Sequence, residues 1–100
     1  YIDDVVEGLI KAAERRTPPI INIGSGRSYK FNYVVNLIEE LLGMKVRKIY
    51  VPEPPRYLKR TKADTTLMRK HLEIDPIPLM KGLELFVEYV RDEKIENRIK

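Results

Sequence analysis

Residues 20–51 read IINIGSGRSYKFNYVVNLIEELLGMKVRKIYV, and the fold turns on how they are read. Ile20-Ile21-Asn22-Ile23 is a short β-branched run ended by Gly24-Ser25-Gly26, the pattern of a buried strand entering a tight loop. Phe31, Val34, Val35, Ile38, Leu41 and Leu42 then recur at helical spacing, and Gly43 stands just past the last of them, where a left-handed cap is favoured. Ser28 and Asn32 are the candidate caps at the start of this helix. Lys45-Val46-Arg47-Lys48-Ile49-Tyr50-Val51 reads as a second strand, with Val46, Ile49 and Val51 apolar. Strand, helix and strand in one such stretch form a βαβ unit, whose strands are parallel and whose crossover is right-handed.

Working outward, Asp4-Val5-Val6-Glu7 reads as a capped helix start, and Val5, Val6, Leu9, Ile10 and Ala13 follow on one face. Thr17-Pro18-Pro19 stops that helix. On the other side, Pro52-Glu53-Pro54-Pro55 is a loop and residues 56–63 are irregular. Asp64-Thr65-Thr66 caps a short helix from Leu67 to Leu72. Asp75-Pro76-Ile77-Pro78 separates it from a last helix with Leu79, Leu83, Phe86, Val87 and Val90 on its apolar face. The charged tail from Asp92 to Lys100 is expected to fray. The predicted fold class is α+β: a small, mainly parallel two-stranded sheet packed with about four helices, in one domain over residues 1–100. Helices carrying Val5/Leu9, Val34/Ile38 and Leu83/Val87 are expected to share one core. Two strands bury little surface, so that core is expected to lean on self-association as a homo-oligomer.

The chain has 100 residues, of which 43% are hydrophobic and 34% charged, a balance that argues against a disordered protein. A dinucleotide-binding domain needs about 150 residues, so a two-domain cofactor enzyme does not fit. With no Cys there are no disulfides, thiolate metal sites or cysteine nucleophiles, and His71 is the single histidine. No apolar run approaches a membrane span and no signal segment is visible, which predicts a cytoplasmic location away from the membrane. Abundant Lys, Arg, Glu and Ile with no Gln suit a thermophile's protein. A first residue of Tyr rather than Met leads to the expectation of a fragment.

The net charge of +4 is unevenly spread. Residues 45–70 hold nine basic side chains against Glu53 and Asp64, a local net charge of +7. Such a cluster attracts phosphates, unless acidic neighbours balance it in the fold. Within it Arg56, Tyr57, Lys59, Arg60 and Lys62 form the best binding candidate, because arginine grips phosphate bidentately and tyrosine stacks on a base. The Gly24-Ser25-Gly26 loop has the context of a phosphate cradle. The third small residue of a dinucleotide fingerprint is replaced by Tyr29, so a sharp strand-to-helix turn is the preferred reading. Acid pairs at Asp3/Asp4, Glu39/Glu40 and Asp92/Glu93 are adjacent in sequence and do not face each other on a helix. A Ser/His/Asp set would rest on His71 alone, which reads as a surface or half-buried helix residue. No tyrosine is followed by Lys four positions on.

Several segments together resemble one family, the extended short-chain dehydrogenases/reductases that act as NAD-dependent nucleotide-sugar epimerases and dehydratases. Tyr1-Ile2-Asp3-Asp4-Val5-Val6 resembles its YVDDVV stretch, and Ile21-Asn22-Ile23-Gly24-Ser25-Gly26 its FNIGSG strand and loop. Residues 32–43 resemble the helix that follows. Thr61-Lys62-Ala63-Asp64-Thr65 resembles its TxADT segment, and Leu79-Met80-Lys81-Gly82-Leu83 its SLEEGL helix start. The pattern is similar to the UDP-glucose 4-epimerase-like members.

That resemblance implies a C-terminal part that binds the nucleotide-sugar substrate while a separate N-terminal Rossmann domain holds NAD. The family's Tyr-x-x-x-Lys chemistry is absent from the chain, so no catalytic residue and no cofactor are expected here, and the part is expected to be inactive alone. Arg56, with Tyr57 beside it, is matched to the family's basic residue that contacts the nucleotide diphosphate. Many members have Arg-Pro-Gly-Asp where this chain reads Pro54-Pro55-Arg56-Tyr57. The alternatives from the residues alone are a small basic nucleic-acid-binding module and a partner-binding domain.

Overall fold

The structure is a computed structural model, which describes the backbone of residues 1–99 and the side chains of residues 1–93. Its regular elements are α1 (Ile2–Glu14), α2 (Phe31–Leu42), a π-helical turn (Met68–Leu72) and α3 (Leu79–Ile99). No strand is present among the described residues, which overturns the expected α+β fold with its two-stranded parallel sheet. The reason is that two parallel strands by themselves hold poorly and need cover on both faces. Here the first segment turns Ile21 and Ile23 into the core, while Ile49, Tyr50 and Val51 of the second stay 75–79% exposed. The Val46 N–H donates to Glu39 Oε2 at 2.9 Å rather than to a strand carbonyl, and Lys48 Nζ lies 3.7 Å from the same carboxylate.

Helix α2 forms where its spacing places it. Gly43 ends it in the left-handed region (φ 68°), and the N–H groups of Gly43 and Met44 donate to the carbonyls of Glu40 and Glu39 at 3.3 Å. These bonds satisfy two of the carbonyls that a helix end leaves open. Neither Ser28 nor Asn32 caps the start, where Lys30 precedes the first turn with no side-chain hydrogen bond.

Helix α1 departs from expectation in two ways. It begins at Ile2, so Asp4 sits inside the first turn instead of capping it. The Asp4 carboxylate reaches across the chain and accepts the Ile77 N–H at 3.1 Å, while Glu7 pairs with Lys11 at 2.8 Å. The helix is also rotated relative to its apolar stripe. Gly8 is buried and Asp4, Lys11 and Ala12 are half-buried, whereas Ile2, Val6, Leu9 and Ile10 are 45–63% exposed. The side facing the body is thus the small and polar one, because Gly8 lets the helix backbone approach Ile23 and Ile74. A Cβ on Gly8 would lie 2.6 Å from Ile23 Cδ1 and 3.3 Å from Ile74 Cδ1.

The buried centre is Met68, Leu72 and Ile74, with Ala12, Ile21 and Ile23 packed around it. Asp64 prepares the turn that carries it: Asp64 Oδ1 accepts the Thr66 N–H at 3.0 Å and the Thr66 hydroxyl at 2.7 Å. Glu73, at φ 51°, ends the turn. Instead of one core shared by three helices there are two contacts. Helix α1 packs on the π-helical turn, and α2 packs on α3, whose Val87 is buried. Arg91 Nη2 of α3 donates to the Leu41 carbonyl of α2 at 3.3 Å. Helix α3 continues through the charged tail to Ile99; the side chains expected there beyond residue 93 lie outside the described residues.

Candidate functional site

A cleft of about 720 Å³ opens between the first turn of α1, the Gly24-Ser25 loop, the Pro76-Ile77-Pro78 segment and the first half of α3. Ile23, Met68 and Ile74 form its floor side, and Phe86 and Tyr89, 55% and 58% exposed, stand at its α3 wall. Its one carboxylate among the described residues, Asp4, is engaged by the Ile77 N–H. With no acid–base pair, histidine or lysine lining it among those residues, this cleft is chemically a surface for burying apolar groups. It is continuous with the exposed stripe of α1 through Ile2 and Val5.

The Gly24-Ser25-Gly26 loop is a packing element. A Cβ on Gly24 would stand 2.8 Å from the Ala63 Cβ. Gly26, at φ 78°, lies where a Cβ would be 3.1 Å from Thr65 Oγ1. The bare side of each glycine is therefore filled by the chain's own 63–65 segment. A dinucleotide pyrophosphate needs that bare backbone for its approach, and Tyr29 occupies the third small position. This loop therefore lacks the open backbone and the third small residue of the dinucleotide fingerprint.

Arg56 and Tyr57 sit together at a reverse turn. The Tyr57 N–H donates to the Pro54 carbonyl at 3.2 Å, Pro55 is the second residue and Arg56 the third, at φ 62°. That is the pattern of a type II turn, whose third position favours glycine. Holding a side chain there costs about 1–2 kcal/mol. Both residues are exposed and neither lines the apolar cleft. Around them the basic segment is open to solvent. Among the described residues, only Lys48 and Arg69 of its nine cations reach a carboxylate, at 3.7 Å from Glu39 and 2.9 Å from Asp75. The other seven therefore form no ion pair among the described residues. His71 is half-buried, as its sequence position implied, and its carbonyl accepts Arg15 Nη1 at 3.1 Å.

Two features escaped the sequence reading. One is the Asp4 tether to Ile77, which joins positions 73 residues apart and carries no local signal. The other is a recess of about 510 Å³ lined by Asn22, Gly24, Ser25, Arg27, Thr61 and Lys62, among others. Its signal was present in the two glycines, whose close packing on residues 63–65 brings Arg27 and Lys62 to one hollow.

Comparison with known proteins gives a distant link to an epimerase. A UDP-glucuronate 4-epimerase of Thermodesulfobacterium geofontis is 30% identical over 94 residues, covering 92% of this chain and 29% of the epimerase. An uncharacterized protein of Methanocaldococcus jannaschii is 31% identical over 96 residues, covering 94% of this chain and 29% of its own length. The chain thus spans less than a third of the length of these curated relatives. No family model matches it, and no solved structure matches it. Among the described residues, no helix is long and apolar enough to cross a membrane.

Proposed function

We propose that the chain is the substrate-binding C-terminal part of an NAD-dependent nucleotide-sugar epimerase of the extended short-chain dehydrogenase/reductase type. The observation that carries this reading is the epimerase similarity, which runs through 92% of this chain but occupies 29% of the enzyme. The physical state of the chain agrees with a part that works against another body. A compact protein of 11.8 kDa exposes about 5,900 Å². This chain exposes 8789 Å², and its radius of gyration is 16.9 Å where a compact 100-residue domain has about 13 Å. The surplus, roughly 2,900 Å² on this one chain, would make about 5,800 Å² counted over both partners, at the upper end of obligate interfaces. The α1 stripe and the apolar cleft are the surfaces that an N-terminal NAD-holding Rossmann domain would cover.

In this reading the chain contributes binding and orientation of the nucleotide-sugar, and hydride chemistry belongs to the other domain. Arg56 contacts the diphosphate from its turn and Tyr57 lies beside it. The test is a chimera in which this chain replaces the matched 94 residues of the Thermodesulfobacterium geofontis epimerase. A chimera that holds NAD and binds UDP-glucuronate supports the reading, with binding weakened in R56A. A chimera that folds and holds NAD but has lost UDP-glucuronate overturns it.

A further inference from the structure

The recess beside the Gly24-Ser25-Gly26 loop is the place where the fold, rather than the sequence, assembles positive charge. Arg27 and Lys62 lie 35 positions apart, yet both line it, together with Asn22, Ser25 and Thr61. The mechanism of assembly is the pair of glycines. Gly24 packs where only a hydrogen fits against Ala63, and Gly26, at φ 78°, packs closely on Thr65, so the residues flanking Lys62 are drawn onto the loop that carries Arg27. The loop is held in register by Ser25. Its Oγ accepts the Arg27 N–H and donates to the Arg27 carbonyl, both at 3.2 Å. Arg27 is thereby presented by a pinned backbone.

Among the described residues no carboxylate lines the recess, and neither Arg27 nor Lys62 forms an ion pair. Asp64, the nearest acid in sequence, lies with Lys62 on a neighbouring recess, and its Oδ1 is taken by two hydrogen bonds from Thr66. Two cations on one recess without a counter-charge among its described lining raise the local positive potential, which an anion seated there lowers. The Ser25 hydroxyl is taken within the loop, which leaves the Arg27 guanidinium, the Lys62 ammonium and the Thr61 hydroxyl as donor types that match the oxygens of a phosphoryl group.

We propose that this recess, formed by Arg27 and Lys62 with Thr61, is a phosphoryl-anion site distinct from the Arg56 turn. Neither Arg56 nor Tyr57 lines it. The ligand is a phosphate or diphosphate group, free or carried by a nucleotide. The site does not depend on the epimerase reading, because the recess and its charges belong to this chain alone.

The experiment is an NMR titration of the chain with inorganic phosphate, pyrophosphate and a nucleoside diphosphate, with chloride at equal ionic strength as control. Saturable shifts at the amides of residues 22–27 and 61–63, absent with chloride, are the expected result. R27A and K62A should each weaken binding about tenfold, the worth of one charge-assisted hydrogen bond, and R27K should retain most of it. Tighter binding of the nucleoside diphosphate than of pyrophosphate assigns the phosphoryl group to a nucleotide, and equal binding assigns it to the free anion. Both Arg27 and Lys62 are exposed, so the variants should keep the helical circular dichroism of the parent. Shifts centred on residues 56–60, or affinities unchanged in R27A and K62A, overturn the proposal.

Discussion

Replacing Gly24 by Ala isolates the contact that organises both the loop and the basic recess. The added Cβ would lie 2.8 Å from the Cβ of Ala63. Carbon atoms pack at about 3.5–4.0 Å, so the shortfall is roughly 1 Å. Each Cβ is fixed to its own backbone, so neither can rotate away, and the loop or the 61–65 segment must move. Overpacking of this kind costs about 1–3 kcal/mol. For a chain of this size each kcal/mol lowers the melting temperature by about 4–8 °C, read from the helical circular dichroism signal. The decisive variant is the double mutant G24A/A63G, in which the opposing methyl is gone. It should recover about 1–2 kcal/mol relative to the sum of the two single changes, a coupling of the size expected for groups in direct contact. A G24A protein within about 0.5 kcal/mol of the parent would refute the reasoning. So would a G24A loss of the same size whether Ala63 is kept or is itself replaced by glycine.

Gly43→Ala tests a backbone requirement without any steric one, since nothing lies within 4 Å of its added Cβ and φ is 68°; urea unfolding should show a loss of about 1 kcal/mol, with Asn tolerated better. Asp4→Ala removes the acceptor of the half-buried Ile77 N–H and should cost about 1–3 kcal/mol, whereas D3A on the exposed side should be neutral in the same melt. The Thr66 side-chain hydrogen bond, followed by its backbone N–H, holds the Asp64 carboxyl below its ordinary value of 3.8. Its stabilising effect is therefore complete above pH 3.8 and is lost as pH falls through the lower folded-state value, so the melting-temperature gap between the parent and D64A should close under acid. Leu9, 63% exposed on the α1 stripe, predicts that L9E changes stability by less than about 0.5 kcal/mol while sedimentation velocity shows reduced self-association; an unchanged association would place the sticky surface elsewhere.

Local chemistry was legible wherever the interaction is short in sequence. The spacing of α2 and its Gly43 end are contacts within a few residues and formed as read, whereas Asp64 bonds Thr66 just ahead of a π-helical turn that begins at Met68 and has no side-chain cap. The local concentration of positive charge in residues 45–70 is likewise a property of composition, and the fold leaves it open to solvent. The order of segments resembling an epimerase family was legible too, and the distant epimerase similarity extends over the same length of chain.

What the sequence left undecided is what each pattern faces. A β-branched run such as Ile20–Ile23 and an imperfectly alternating one such as Val46–Val51 are equally compatible with a paired strand and with an unpaired extended segment, because pairing depends on cover that the run does not encode. The stripe Val6, Leu9, Ile10 specifies an amphipathic helix but not the body it packs on, and here Gly8 turned the opposite side inward. The core at Met68, Leu72 and Ile74 has no strong period, since it sits on a π-helical turn and the loop after it. Composition, helix periods and caps follow from the sequence by itself, because they are set by neighbours along the chain. The absence of a sheet among the described residues, the outward face of α1 and the placing of Arg27 and Lys62 on one recess were decided by tertiary structure, because close backbone approach at Gly8, Gly24 and Gly26 joins segments far apart in the chain.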